Sequence, residues 1–138
     1  MPMVKIWIHL VFSTKYRAPL ITNQLKHDLL THIRDNAKKK DIYIDTMNAC
    51  SDHMHILLSL GNDQSIAKVA QLIKGESAHW VNENHLLDYK FIWQEEYYAA
   101  SVSDSKKNVV RNYIKNQEEH HRLKTFEEEC DMFIVSTP

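Results

Sequence analysis

The sequence predicts an α+β fold, and three observations lead to it. Apolar residues alternate with a period of two over four stretches and recur at helical spacing over two long ones. These six segments follow one another as strand, helix, strand, strand, helix, strand. With 138 residues, 43% of them hydrophobic, the chain is long enough for one domain with its own core, taken here as residues 1–138. That order is the split βαβ of a ferredoxin-like, RRM-like architecture: an antiparallel sheet with both long helices on one face. A further C-terminal helix, which carries a tyrosine, lies outside the core order.

Val4 to Thr14 reads as the first strand, with Ile6, Ile8, Leu10 and Phe12 on one face and Trp7, His9 and Val11 on the other. Pro19 breaks the chain, and Thr22 can cap a helix reaching Lys40 whose buried stripe is Leu25, Leu29, Ile33 and Ala37. Asp41 to Cys50 predicts a second strand, alternating Ile42, Ile44 and Thr46 against Tyr43, Asp45 and Met47. Asp52-His53-Met54-His55-Ile56-Leu57-Leu58-Ser59-Leu60, ended by Gly61-Asn62-Asp63, predicts the third, and the short link to it favours a hairpin. Ser65 to Asn84 predicts a second helix with Ile66, Val69, Ile73 and Trp80 inward and a bend at Gly75. The aromatic stretch from Phe91 to Ser103 predicts the fourth strand. A Ser103 or Asp104 cap opens the tyrosine helix, and an acidic segment from Phe126 to Phe133 predicts a peripheral helix.

Composition excludes several classes. No apolar span approaches the roughly 20 residues of a membrane helix, and Lys5 and His9 interrupt any signal-peptide pattern, so a cytoplasmic location is expected. Cys50 and Cys130 match no zinc spacing and require no disulfide. The formal net charge of -1 argues against a uniformly basic nucleic-acid binder. The distribution is nonetheless uneven: residues 1 to 40 hold eight Lys or Arg against two Asp or Glu, and residues 41 to 102 hold three against nine. A basic first third is compatible with a phosphate-binding face and equally with a solvated helix.

Two constellations carry chemistry. His53 and His55 alternate with Met54, so both imidazoles project from one strand face, roughly 7 Å apart along the backbone, where they can converge on one cation. An isolated pair of this kind also serves as a hydrogen-bonded core edge, and a site needs a third partner. Val109, Val110, Tyr113, Ile114 and Gln117 fall at helical spacings, which places a phenol and an amide one turn apart on the same surface. An amphipathic helix with an interfacial tyrosine has the same pattern.

Three stretches together point to a family. Ile8-His9-Leu10-Val11-Phe12-Ser13-Thr14-Lys15-Tyr16-Arg17-Ala18-Pro19-Leu20, then Ser51-Asp52-His53-Met54-His55, then Tyr113-Ile114-Lys115-Asn116-Gln117-Glu118-Glu119-His120-His121 occur in this order and at these separations. The chain resembles the single-tyrosine HUH transposases of small bacterial insertion sequences, the TnpA type, over nearly its whole length. The resemblance implies a single-stranded DNA transposase that cuts and rejoins element ends through a 5′-phosphotyrosine on Tyr113. It further implies Mg²⁺ or Mn²⁺ held by His53, His55 and Gln117, a DNA hairpin as substrate, and a homodimer with composite sites formed in trans. Lys15, Tyr16, Arg17, Lys74 and Arg111 are then the candidates for phosphate contact or base stacking.

Tyr97 and Tyr98 lack a glutamine one turn later and are not preferred as nucleophile. His120 and His121 diverge by about 100° on a helix and are read as surface residues, as His27, His32, His79 and His85 are. The chain departs from the family in carrying Glu96-Tyr97-Tyr98-Ala99-Ala100, without glycine, before the tyrosine helix, which limits the expected motion of that helix. Two further functions compete with the transposase. One is a domesticated, non-enzymatic binder of hairpin DNA or RNA, and the other a metal-dependent phosphoesterase that uses water and dispenses with Tyr113.

Overall fold

The computed structural model describes residues 4–117. Its elements are β1 (Ile6–Ser13), α1 (Asn23–Lys39), β2 (Tyr43–Ala49), β3 (His53–Leu60), α2 (Ile66–Glu83), β4 (Tyr98–Val102) and α3 (Lys107–Lys115). The strands lie in the order β2-β3-β1-β4, and every neighbouring pair is antiparallel. This is the expected α+β, ferredoxin-like sheet. The segment from Phe126 to Phe133 and the pair His120 and His121 lie outside the described residues.

The pleat sorts the sheet into two chemistries. Ile8, Leu10 and Phe12 of β1 share a face with Met54, Ile56 and Leu58 of β3 and pack against the stripes of α1 and α2. On α1 the buried residues are Leu25, Leu29, Ile33 and Ala37, and the Thr22 hydroxyl caps the helix by accepting from the Leu25 amide. Ser65 caps α2 in the same way through Lys68. The helix runs unbroken through Gly75, and its buried stripe is Val69, Ala70, Ile73, Ser77 and Val81. Ile66 and Trp80 lie only at the core margin. Trp80 instead stacks on His32 of α1, ring centroids 4.1 Å apart, while His32 Nε2 pairs with Glu76 at 2.7 Å.

Two boundaries differ from expectation for identifiable reasons. The aromatic stretch before β4 is not a continuous strand: Tyr98 to Val102 pairs with β1, and ahead of it Trp93 forms only an isolated bridge with Thr14, just past the end of β1. Phe91 and Trp93 are buried from an irregular loop, stacked edge-on to each other at 4.7 Å, with Trp93 also edge-on to Phe12 at 4.6 Å. Side chains replace the missing ladder. Asn82 bonds both the amide and the carbonyl of Phe91, Ser77 accepts the Trp93 indole N–H, and Lys74 donates to the carbonyls of Gln94 and Glu95. Apolar content here signalled core packing, not strand pairing.

The second difference lies in β2, where the register shifts between Ile44 and Thr46. Asp45 becomes the extra residue of a bulge, and the alternation inverts behind it. Met47 and Ala49 turn to the core opposite Ile56 and Met54, while Thr46 and Asn48 turn to the other face opposite Leu57 and His55.

That other face carries α3. Val110, Tyr113 and Ile114 bury against Leu57 and Val102, with Trp7 and Tyr98 alongside, whereas Val109 is 60% exposed. The bulge holds the helix in place: Arg111 donates from Nε and Nη2 to the two Asp45 oxygens at 2.8 and 2.7 Å, and Asn48 donates to the Ile114 carbonyl at 3.0 Å. The Arg111 hydrogen bonds outweigh the opposing effect of burial and keep the Asp45 carboxyl below its ordinary value. A carboxylate with a depressed folded pKa contributes stability above its unfolded value of about 3.9, and that contribution is lost as pH falls through the folded value. Asp45→Asn is therefore expected to lower the melting temperature at pH 7. The gap to the unsubstituted protein should close as both are acidified below about pH 4. An unchanged gap across that range would show that the pair does not dock α3.

Candidate active site

β3 places His53 and His55 on the face opposite the main core, both essentially fully buried. Their rings stand edge-on, centroids 5.1 Å apart. In each, Nδ1 is engaged. His53 Nδ1 lies 2.8 Å from Asp52 Oδ1, and since a carboxylate only accepts, His53 carries its proton on Nδ1. His55 Nδ1 lies 2.8 Å from Nε2 of His9, a buried residue on β1. The Nε2 atoms of both rings are shielded from solvent.

Asp52 is itself held from the far side. Arg17 donates from Nε to Asp52 Oδ2 at 3.0 Å, and its Nη2 lies 3.0 Å from the same oxygen as an ion pair. Burial raises the Asp52 pKa, but the hydrogen bond and charge of His53 and the Arg17 guanidinium reverse the sign and hold the carboxyl below its usual range. Burial, and then the neighbouring His55, drive the His9 pKa well below the histidine norm, so this imidazole is neutral.

α3 brings the phenol. The Tyr113 ring lies 5.9 Å from the His55 ring, centroid to centroid, at an interplanar angle of 67°. Its oxygen is buried, as is Oε1 of Gln117, which follows a turn at Asn116 just beyond the end of the helix. His53, His55 and Tyr113 thus meet within a single chain. Tyr98, set aside at the sequence level, also belongs to this layer: it projects from β4 edge-on to His9 at 6.2 Å.

The five candidates for nucleic-acid contact separate by environment. Lys15, Tyr16 and Arg17 form a single 3-10 turn after β1, with φ of 58° at Tyr16 and 55° at Arg17. Left-handed backbone at a non-glycine residue costs on the order of 1 kcal/mol or more. Bonds on either side hold it: Thr14 Oγ1 to the Ala18 carbonyl, Lys15 N to the Ile92 carbonyl, and Arg17 to Asp52. The consequence is a split presentation. Tyr16 stands 87% exposed with the Lys15 ammonium 5.5 Å from its ring centre, while Arg17 folds back to the histidine site. Lys74 and Arg111 are engaged within the chain, Lys74 in securing the 94–96 loop and Arg111 in docking α3.

The donor set fits a hard or borderline divalent cation with an open coordination sphere. Two imidazole nitrogens and one carboxamide oxygen suit Mn²⁺ or Mg²⁺ and leave positions for oxygens of a substrate or water. Among the described residues, no three His, Cys, Asp or Glu side chains are arranged to hold a metal ion by themselves. Sequence spacing alone does not single out His9, Asp52 and Tyr98 as members of this layer. Strand pairing across the sheet is the signal that finds His9, whose Cα lies opposite Leu57, one diagonal step from His55.

Comparison with known proteins sets the chain among relatives. The family model described as "Transposase IS200 like" matches residues 2–117. ISDra2 transposase TnpA of Deinococcus radiodurans is 28% identical over 114 residues, covering 79% of this chain and 81% of that protein. The transposase for insertion sequence element IS200 of Salmonella typhimurium is 26% identical over 121 residues, covering 83% and 78% respectively. A crystal structure from Deinococcus radiodurans described as a transposase superposes with a TM-score of 0.68 at 24% identity, over 84% of this chain and 93% of that one. A REP-associated tyrosine transposase bound to a REP hairpin superposes with a TM-score of 0.67 at 18% identity, over 88% and 71%. At these identities the structural likeness concerns the fold. No helix among the described residues is long and apolar enough to cross a membrane.

Proposed function

The chain belongs to the IS200-like transposase family, and from that premise we propose that it cleaves and rejoins single-stranded DNA at insertion-sequence ends, with Tyr113 as nucleophile. The observation that carries this reading is the meeting of a phenol with two imidazoles whose Nδ1 atoms are already engaged. His53, His55 and Gln117 would hold Mg²⁺ or Mn²⁺, which when bound supplies charge stabilisation at the scissile phosphate. The chain's own groups do the rest. The Tyr113 oxygen attacks phosphorus, the bond from phosphorus to the 3′-side oxygen breaks, and the proton lost by the phenol balances the one gained by the released 3′-hydroxyl. A free phenol, with a pKa of about 10, is a weak nucleophile, so alignment against the phosphate has to carry the step. The resulting 5′-phosphotyrosine keeps the energy of the phosphodiester, and attack by a second 3′-hydroxyl rejoins DNA without ATP.

Substrate contact falls to the exposed Lys15 and Tyr16, a cation and an aromatic face suited to phosphate and to an unpaired base. A DNA hairpin fits this reading, since the REP-associated relative is described bound to one. The working unit is a homodimer in which α3 of each protomer completes the histidine site of the other. The contacts Asp45–Arg111 and Asn48–Ile114 would then form between protomers in place of within one, as in any exchange of identical elements.

Incubation with single-stranded hairpin DNA and Mn²⁺ should give a covalent protein–DNA band on a denaturing gel. EDTA should remove it, and Mn²⁺ should restore it at lower concentration than Mg²⁺, because imidazole nitrogen favours the later metal. Cleavage without a covalent band would favour the water-using phosphoesterase, and binding without cleavage the non-enzymatic binder. For the dimer, Tyr113→Phe is mixed with a His53→Ala, His55→Ala double variant. Regained adduct in the mixture means sites shared between protomers, and none means that each chain serves itself.

A further inference from the structure

We propose that His9 is a positioning residue for His55: its Nε2 accepts the Nδ1–H of His55, fixing the tautomer in which His55 Nε2 keeps a lone pair for the cation. The inference rests on the metal reading given above and deepens it. Two buried imidazoles share one hydrogen bond here, and its direction decides whether His55 can be a ligand through Nε2. Were His9 the donor, His55 would hold its proton on Nε2 and could not coordinate through that atom.

The geometry is built for a fixed pair. His9 and His55 stand on adjacent strands, β1 and β3, each 1% exposed, with ring centroids 5.0 Å apart and planes inclined by 25°. The Nε2–Nδ1 distance is 2.8 Å. Tyr98 closes His9 from the β4 side. The paired histidines are therefore oriented by unlike groups: Asp52, a carboxylate, holds His53, and a neutral imidazole holds His55. Partners of this kind set ring orientation and ligand basicity at metal sites, and losing one costs about 10–100-fold in metal affinity.

The test uses the whole chain with Mn²⁺ alone, followed by electron paramagnetic resonance, and long-range ¹H–¹⁵N spectra of the histidine rings without metal. In the unsubstituted protein the spectra should show His55 protonated on Nδ1. His9→Leu should lose that signature and weaken Mn²⁺ binding by about 10–100-fold. His9→Gln, which restores a neutral acceptor, should recover most of the affinity. His55 protonated on Nε2 in the unsubstituted protein overturns the proposal, as does equal Mn²⁺ affinity in His9→Leu, or a glutamine variant as weak as the leucine one. Should His9→Leu fail to fold, the unsubstituted spectrum and His9→Gln decide. If the unsubstituted protein binds no Mn²⁺, the metal reading falls by itself, and the tautomer spectra alone judge His9.

Discussion

Tyr113→Phe is expected to abolish the covalent DNA adduct, a loss on the order of 10³-fold or more in the rate of strand cleavage, while Mn²⁺ binding and hairpin binding stay near those of the unsubstituted protein. The substitution removes one oxygen and little else. The ring is 8% exposed, packs with Val110 and Ile114 in the small cluster over Leu57 and Val102, and lies edge-on to His55. Phenylalanine keeps the volume and the ring contact, so a change in fold cannot account for the loss. Denaturing gels with labelled hairpin DNA measure the adduct, and gel shift without denaturant measures binding. A persistent adduct would falsify the assignment and direct attention to Tyr98, the other buried phenol of this layer. A tyrosine that matters only for packing predicts the opposite pattern, with an intact adduct and a lowered melting temperature.

Most of the fold could be read from periodicity because most elements bury one regular face. The α1 stripe at Leu25, Leu29, Ile33 and Ala37 is strictly spaced and appears unchanged. The strand carrying His53 and His55 was equally legible, since an apolar run follows the two histidines and ends at glycine. Where tertiary contacts replaced local ones, legibility failed. Phe91 and Trp93 look like strand residues, yet Asn82, Ser77 and Lys74 satisfy the loop that carries them. The inversion of β2 is invisible in sequence because a bulge is one unpaired residue, and Asp45 makes it useful by taking Arg111. Within the site, the histidine pair and the phenol have sequence spacing that brings them to notice. His9 and Asp52 have none, because their roles exist only once β1 lies beside β3 and the turn after β1 folds Arg17 back.

The missing glycines before the tyrosine helix acquire a physical meaning from the same pairing. Tyr98, Ala99 and Ala100 belong to β4 and pair with β1, where glycine would weaken the strand. The link to α3 is instead the short turn Asp104–Lys106, with Asp104 tied to the Trp7 indole at 3.0 Å. Any swing of α3 must hinge there and must break Asp45–Arg111. Freedom of the helix is therefore set by that ion pair and not by backbone permissiveness.

Removing the imidazoles is expected to have the second-largest effect. His53→Ala and His55→Ala should each lower Mn²⁺ affinity by more than about 100-fold, since loss of a ligand must exceed the 10–100-fold cost of losing a ligand's partner. Adduct formation should fall with it and should not be rescued at any Mg²⁺ concentration that leaves DNA hairpins soluble. Hairpin binding should survive, because the proposed substrate contacts, the exposed Lys15 and Tyr16, are left unaltered by either substitution. The two variants should differ in one respect. His53→Ala leaves the Asp52 carboxylate with Arg17 as its remaining side-chain partner, whereas His55→Ala leaves only the neutral His9, so His53→Ala should carry the larger change in melting temperature. Calorimetric titration with Mn²⁺, melting curves and the denaturing gel separate these effects. Undiminished Mn²⁺ binding in both variants would place the cation elsewhere, and the paired histidines would then be a buried hydrogen-bonded edge of the sheet, held by His9 and Asp52 for stability alone.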